Sequence, residues 1–340
     1  MRMKKIKFAV IGCGHIGKRH ASMIQQHEGA ELIAIADTDA AKKSFADEAA
    51  VSFFSSADEL IASGMEYDVA NIATPNGFHA KQAMQFLHAG KNVVIEKPMA
   101  LAKQDAENVI HTALQVNRYV FVVMQNRYSP PVAWLKEIVS KKIMGEIFFV
   151  QLNCFWNRDE RYYKPGNWHG SKELDGGTLF TQFSHFIDIM YWLFGDIDHI
   201  HTRLFNFNHQ SLTEFEDSGN ISFHFINGGE GCLQFSTSVW QQNMESSITI
   251  IAENGTVKIG GQYMDKIEYC HIKDYVQPQL SPTNPGNDYG AYKGSAANHH
   301  LTIQNVIDVL NGKAPITTNA LEGLKVVDII ERMYRAGSGS

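Results

Sequence analysis

Residues Gly12-Cys13-Gly14-His15-Ile16-Gly17 decide the fold. This G-x-G-x-x-G follows directly on the apolar run from Ile6 to Ile11 and opens a helix-patterned stretch, His15 to about Gln26. At the first position glycine permits a tight turn out of a strand. At the second it lets a pyrophosphate approach the backbone, and at the third it lets helix and strand pack closely. The free N–H groups and positive dipole at the helix start favour phosphate. The next apolar run, ELIAIAD, ends in Asp37, roughly 20 residues on, as a dinucleotide fingerprint requires. That carboxylate suits ribose hydroxyls and repels a 2′-phosphate, and Thr38 and Asp39 supply no arginine to hold one, so NAD is favoured over NADP. A turn or capping aspartate is the plainer alternative for Asp37.

Outward from this motif, Val51 to Phe54, DVANIA, NVVIE and YVFVVMQ alternate with helix-patterned segments. Continuous β-branched runs of this kind suit parallel strands covered on both faces, and strict alternation implies a doubly wound sheet. Two further strand ends carry chemistry: Ala73-Thr74-Pro75-Asn76, followed by His79, and Glu96-Lys97-Pro98. The candidate cofactor residues are therefore Gly12, Gly14, His15, Ile16, Gly17, Asp37, Thr74, Pro75, Asn76, His79, Glu96 and Lys97, with Gln125 at the end of YVFVVMQ and Trp168 from the second half. After Arg127 the texture changes. A helix, Pro131 to Ser140, leads into GEIFFVQLNCFW, and a second helix carries HFIDIMYWLFG. The runs SGNISFHFI, GCLQFSTSVW, SSITIIAE, GTVKIG and KIEYCHI then follow without intervening helices, which reads as a largely antiparallel sheet. The expectation is an α/β chain of two domains: residues 1–127, an N-terminal Rossmann-type doubly wound parallel sheet, and residues 128–336, for substrate binding and oligomerisation.

Composition excludes several classes. Thirty Lys and Arg against 36 Asp and Glu, a formal charge of -6, leave no basic face for nucleic acid. The four cysteines, Cys13, Cys154, Cys232 and Cys270, form no CxxC pair and read as reduced thiols. The apolar start MRMKKIKFAVIGCG is too short and glycine-broken for a leader, and no later segment approaches a membrane span, so a soluble cytoplasmic protein is expected. The 15 histidines show no HxxxH or HExxH, and the adjacent pair His299-His300 points to different helix faces, so no metal is expected.

The combination GCGHIG, ATPNGFH, EKP and GGTLFTQFSHFID resembles the glucose–fructose oxidoreductase/inositol dehydrogenase (Gfo/Idh/MocA) family across nearly the whole chain. The resemblance implies a second α/β domain with an open mixed sheet, assembly through that sheet as a homotetramer, and catalysis by the EKP lysine and a histidine on a second-domain helix. These fall on Lys97 and His185. The family helix often carries an aspartate four residues before the histidine; here that position is Thr181. Within the family, CFWNRDERYY, Trp168, DGGTLFTQFSHFIDIMYWLFG and SSITIIAENGTVKIGG are similar to UDP-N-acetylglucosaminuronate 3-dehydrogenases, which serve the synthesis of bacterial surface polysaccharides.

A neutral histidine suits the base that takes the proton of a secondary alcohol near pH 7. Lys97 then stabilises developing alkoxide charge, or is itself the base if its pKa falls; both assignments stay open. A UDP-sugar needs cations for its diphosphate and uronate, for which Arg127, Arg158, Arg161, Lys164 and Lys172 are candidates. Tyr162, Tyr163 and Trp168 are candidate stacking residues, and Thr181 and Gln182 candidate readers of sugar groups. The alternatives are a dehydrogenase of a free sugar or inositol, and a non-catalytic NAD(H)-sensing protein, which would need neither Lys97 nor His185.

Overall fold

The computed structural model describes residues 5–164, 166–290 and 292–337. The chain divides into two compact units, one running to Met124 and resuming at His299–Val327, the other made of Gln125–Asn298 and the chain from Asp328 onward.

In the first unit the strands are β1 (Ile6–Ile11), β2 (Ala30–Ala36), β3 (Ser52–Phe54), β4 (Val69–Ile72), β5 (Asn92–Ile95) and β6 (Val120–Val122). Among the described residues they form one six-stranded parallel sheet in the order β3-β2-β1-β4-β5-β6. Strand β4 is buried at every position and β5 at all but its first, as a sheet covered on both faces demands. The strand order reverses between β1 and β4, and ligands of open α/β sheets bind beyond the carboxyl ends at that point. Gly12, Asp37, Ala73 and Glu96 each directly follow a strand at this edge.

The sequence boundaries at 127/128 and 336 differ from this division. Helix His299–Leu310 buries Ile303, Val306 and Ile307 in the core that holds Phe8, Val10, Ile24 and Ile35. Its apolar stripe completes the cover of the first sheet, so the chain returns to the unit where it began.

The second unit holds β7 (Ile147–Phe155), β8 (Ile197–Phe205), β9 (Ser218–Phe225), β10 (Glu230–Ser236), β11 (Glu245–Ala252), β12 (Gly255–Gly260) and β13 (Lys266–Ile272). Among the described residues these make a seven-stranded sheet, ordered β13-β12-β11-β7-β10-β9-β8. The β7–β10 pair is parallel and the rest are antiparallel, giving the expected mixed, mostly antiparallel sheet. Val150, Leu152, Leu233, Phe235, Ile248 and Ile250 are buried on one face. Phe183 and Phe194 pack there against Phe235 and Phe225, with ring centroids 5.7 and 5.3 Å apart. The register runs Thr249, Gln151, Cys232, Ser222 across the other face, which is partly exposed and also carries Phe149 and Ile251. Strand β8 has no clear signal in the sequence: IDHIHTRLF alternates poorly, lies at the sheet edge and carries a register shift at His199, where φ is 47°. No helix of the described residues is long and apolar enough to cross a membrane.

Candidate active site

The glycine turn fits a dinucleotide. Gly12 has φ +84°, and a Cβ there would lie 2.7 Å from the Ala73 carbonyl oxygen. A Cβ on Gly17 would lie 1.8 Å from the Gly12 carbonyl oxygen, so helix and strand touch there. At Gly14, the residue before helix His15–Gln26, a Cβ would meet nothing within 4 Å, and no side chain caps the helix start. The site thus has an open approach and uncapped N–H groups where a phosphate is expected. His15 is exposed and Ile16 half-buried beside it. Asp37, half-buried, accepts from the Cys13 amide at 2.5 Å and from the Asp39 amide at 2.8 Å. It therefore also braces the glycine turn.

The other two strand ends are tied together. Thr74 donates through Oγ1 to Gln82 at 2.6 Å. His79 is buried, its Nδ1 2.7 Å from the Pro98 carbonyl and its Nε2 2.8 Å from that of Thr74. Only a doubly protonated ring donates to both carbonyls; burial nonetheless lowers its pKa, outweighing those two bonds. With both nitrogens engaged, His79 ties Thr74-Pro75-Asn76 to the loop after Lys97, whose peptide bond to Pro98 is cis.

Glu96 is buried as well. Its Oε1 accepts from His20 Nε2 at 2.9 Å, and its Oε2 accepts the Lys97 amide at 3.2 Å. His20 Nδ1 faces the Asn71 side-chain amide nitrogen at 2.9 Å, and His299 Nε2 stands 3.7 Å from Glu96. Burial alone would raise the Glu96 pKa, but the His20 hydrogen bond and the charge of Lys97 bring it down to about 2. The Glu96 carboxylate is thus an interior anion engaged by His20 and the Lys97 amide. Sequence reading missed His20, Asn71 and His299 as its partners. A signal exists: His20 sits in the buried stripe Gly17, His20, Ala21, Ile24 of its helix. The ligand atoms of His20, Glu96 and His299 lie within 4.8 Å of one another. The 2.9 Å contact is already a hydrogen bond, and burial, with the charges of Arg19 and Lys97, holds His299 neutral, its pKa down at about 3 despite the nearby Glu96.

In the second unit His185 lies in the first turn of helix Ser184–Phe194, which follows a π-turn, Leu179–Phe183. Such turns mark functional sites more often than chance and re-aim the side chains that follow. His185 is 2% exposed, packed in a helix whose Phe186 and Ile189 are fully buried. The Gln125 side-chain nitrogen lies 3.3 Å from His185 Nε2, so the amide donates and Nε2 presents its lone pair. Thr181 donates through Oγ1 to the Asp175 carbonyl at 2.9 Å and also to the Asp175 carboxylate. A carboxylate therefore stands behind Thr181, although the helix carries none at that position. The π-turn itself is pinned by buried Glu216, which accepts from Tyr334 at 2.7 Å and from the Thr178 amide at 3.2 Å.

Several predicted substrate residues are engaged elsewhere. Arg127 is buried and paired in two contacts with Asp188, at 2.8 and 2.6 Å, over the Trp192 ring. That pair holds the start of the second unit to the His185 helix, and it removes Arg127 from the ligand-facing cations. Arg158 is buried with neutral acceptors: Gln182 at 2.8 Å, the carbonyls of Asn157 and Lys293 at 2.6 and 3.1 Å, and Asn243 at 3.2 Å. Burial lowers its pKa, and Trp156, Tyr162 and Tyr292 present ring faces within 5.2 Å. Gln182 is spent at both ends, on Arg158 and, at 2.8 Å, on the Tyr162 hydroxyl. Tyr162 and Tyr163 are interior rings, not open stacking surfaces. Arg161 pairs with Asp159 at 2.7 Å. Trp168 is half-buried and stacked on His169, centroids 3.9 Å apart; Lys164 and Lys172 are exposed.

Residues 6–124 match the oxidoreductase family with an NAD-binding Rossmann fold, Gfo/Idh/MocA, and residues 132–258 match the Gfo/Idh/MocA C-terminal domain. The WlbA dehydrogenase of Bordetella pertussis, solved in complex with NADH and UDP-GlcNAcA, is 31% identical, with a TM-score of 0.88 over 98% of this chain and 97% of that one. The Chromobacterium violaceum WlbA dehydrogenase, in complex with the same two molecules, is 29% identical, with a TM-score of 0.88 over 99% and 95%. The D-glucoside 3-dehydrogenase of Escherichia coli is 25% identical over 99% of this chain and 96% of its own length.

Proposed function

The chain belongs to the Gfo/Idh/MocA oxidoreductase family, and from that premise we propose that it oxidises C3 of UDP-N-acetylglucosaminuronate to the 3-keto sugar, with NAD as acceptor. The observation that carries this reading is likeness over almost the entire chain to a dehydrogenase crystallised with NADH and that sugar nucleotide. Bound NAD supplies the hydride acceptor. His185 takes the hydroxyl proton through Nε2, once the substrate hydroxyl displaces the Gln125 amide that donates to that nitrogen. Lys97 serves as a charged hydrogen-bond donor that stabilises developing negative charge. Asp37 holds the adenosine ribose, and the Gly14 turn receives the pyrophosphate. The partly exposed face of the second sheet serves assembly as a homotetramer, which light scattering checks; a monomer mass at micromolar concentration rejects it.

A second reading is oxidation of an unactivated sugar. The engagement of Arg127 with Asp188, and of Arg158 with its neutral acceptors, favours it, because both are lost as cations for a diphosphate. A substrate screen following NADH absorbance, with UDP-sugars beside free glycosides and inositols, separates the two. Turnover of UDP-N-acetylglucosaminuronate at least tenfold above every free sugar is expected; the reverse order establishes the second reading.

A further inference from the structure

Burying a carboxylate is expensive unless hydrogen bonds and charge repay it, and a sheet strand is under no obligation to end in one. Glu96 is 6% exposed and His20 and His299 2% each. The donor directions along the chain of contacts are consistent from end to end. The Asn71 amide donates to His20 Nδ1, which leaves His20 Nε2–H to donate to Glu96 Oε1, while the Lys97 peptide N–H donates to Oε2. Each of these groups comes from a different element: Asn71 from β4, His20 from helix His15–Gln26, Glu96 from the end of β5. His299, at the start of helix His299–Leu310, closes the fourth side. Its ring meets His20 edge-on at 5.7 Å, and its Nδ1 has no hydrogen-bond partner among the described residues. His79 and Lys97 are the other titratable groups within electrostatic reach, and Arg19 acts on His299.

We propose that the buried Asn71–His20–Glu96 chain, walled by His299, is a positioning device for Lys97: it fixes the lysine's peptide and keeps an anion on the preceding residue, so that Lys97 works as a charged donor and not as the base. An ionised neighbour stabilises an ammonium group, and a neutral His299 leaves that anion uncancelled. The chain touches neither substrate nor the reacting atoms, and its effect passes through Lys97. The assignment rests on the role given to Lys97 above. The first arm of the test is therefore chosen to need no substrate.

Reductive ¹³C-methylation of the whole protein, followed by NMR titration of the Lys97 signal (identified by its loss in Lys97→Arg), reports the lysine directly. The wild-type midpoint is expected at or above the ordinary lysine value of about 10.4, and Glu96→Gln is expected to lower it by about one unit or more. An unchanged midpoint in Glu96→Gln overturns the proposal whatever the substrate proves to be. Glu96→Asp keeps the charge and shortens the reach. It is expected to hold the midpoint while turnover on the substrate found by screening falls on the order of 100-fold, as misplacement by an ångström can cause. Full turnover in Glu96→Asp rejects the positioning role, and this variant carries the test should Glu96→Gln fail to fold.

Discussion

The side-chain amide of Gln125 donates to Nε2 of His185 across 3.3 Å, both residues being 2% exposed. The contact fixes which imidazole nitrogen carries the lone pair, and it comes from the residue that begins the second unit.

His185→Asn is expected to lower turnover by roughly 10²–10⁴-fold, the range for loss of a general base. NAD affinity, read by fluorescence titration, should stay within about twofold, because the histidine belongs to the second unit. The wild-type profile should lose activity on the acid side as His185 gains a proton, and the asparagine variant should lose that limb. Retention of an acid limb in His185→Asn assigns the base elsewhere.

Asp37 bears on cofactor choice and on the turn at once. Its carboxylate holds the Cys13 amide, so Asp37→Ala should weaken NAD binding while relieving repulsion of a 2′-phosphate. A like-charge contact near 4 Å is worth about 1 kcal/mol or more. The NAD-over-NADP preference should therefore narrow at least about fivefold, measured by parallel titration. A wild type that binds NADP as tightly as NAD refutes the role given to Asp37.

The fold was legible wherever one local signal sufficed. GCGHIG followed an apolar run and preceded a helix, and the structure sets Gly12 in a positive-φ turn and Gly17 in close contact with that turn, as the spacing implies, with open space at Gly14. The strands of the first sheet are buried on both faces, so their apolar runs are continuous. Strand β8 was not legible, because a sheet edge tolerates His199 and His201 where a central strand would not. At the site, the loop charges of 158–164 read as ligand cations because sequence does not say which charges go inside. Arg158 went in with aromatic rings and amide oxygens around it, and Arg127 found Asp188, 61 residues away. Partners that distant leave no local pattern, which is also why His20 and Glu96, 76 residues apart, were not connected.

The Arg127–Asp188 pair is a stability element, both side chains 1% exposed. Arg127→Met leaves a buried carboxylate without its cation and should cost about 3–5 kcal/mol, read from urea unfolding. Adding Asp188→Leu should restore much of that loss, since an apolar pair replaces a buried ion pair at little net cost. Were Arg127 a substrate cation instead, Arg127→Met would raise KM and leave the unfolding midpoint in place.

Glu216 gives the protein a stability that depends on pH through one residue. Its pKa is raised to about 7, first by burial, with the Asp175 charge adding to it, against hydrogen bonds from Tyr334 and Thr178 that lower it. The unfolded value is near 4.3. Between the two, the folded chain holds a proton that the unfolded chain has released, so stability falls as pH rises through that window. Below it the contribution is fully present; above about 7 it is gone. Glu216→Gln keeps a neutral group of the same shape beside Tyr334 and Thr178 and has no proton to lose. The difference in unfolding free energy between wild type and Glu216→Gln should therefore drift against the wild type from pH 5 to pH 7.5, by on the order of 2–3 kcal/mol. Because Glu216 pins the π-turn that leads into His185, ionisation should loosen that turn first. Hydrogen exchange at the amides of Thr178 and Leu179 should then speed up with pH beyond the intrinsic rate in wild type but not in the glutamine variant. Parallel stability curves for the two proteins across this range would mean that Glu216 titrates at its ordinary value.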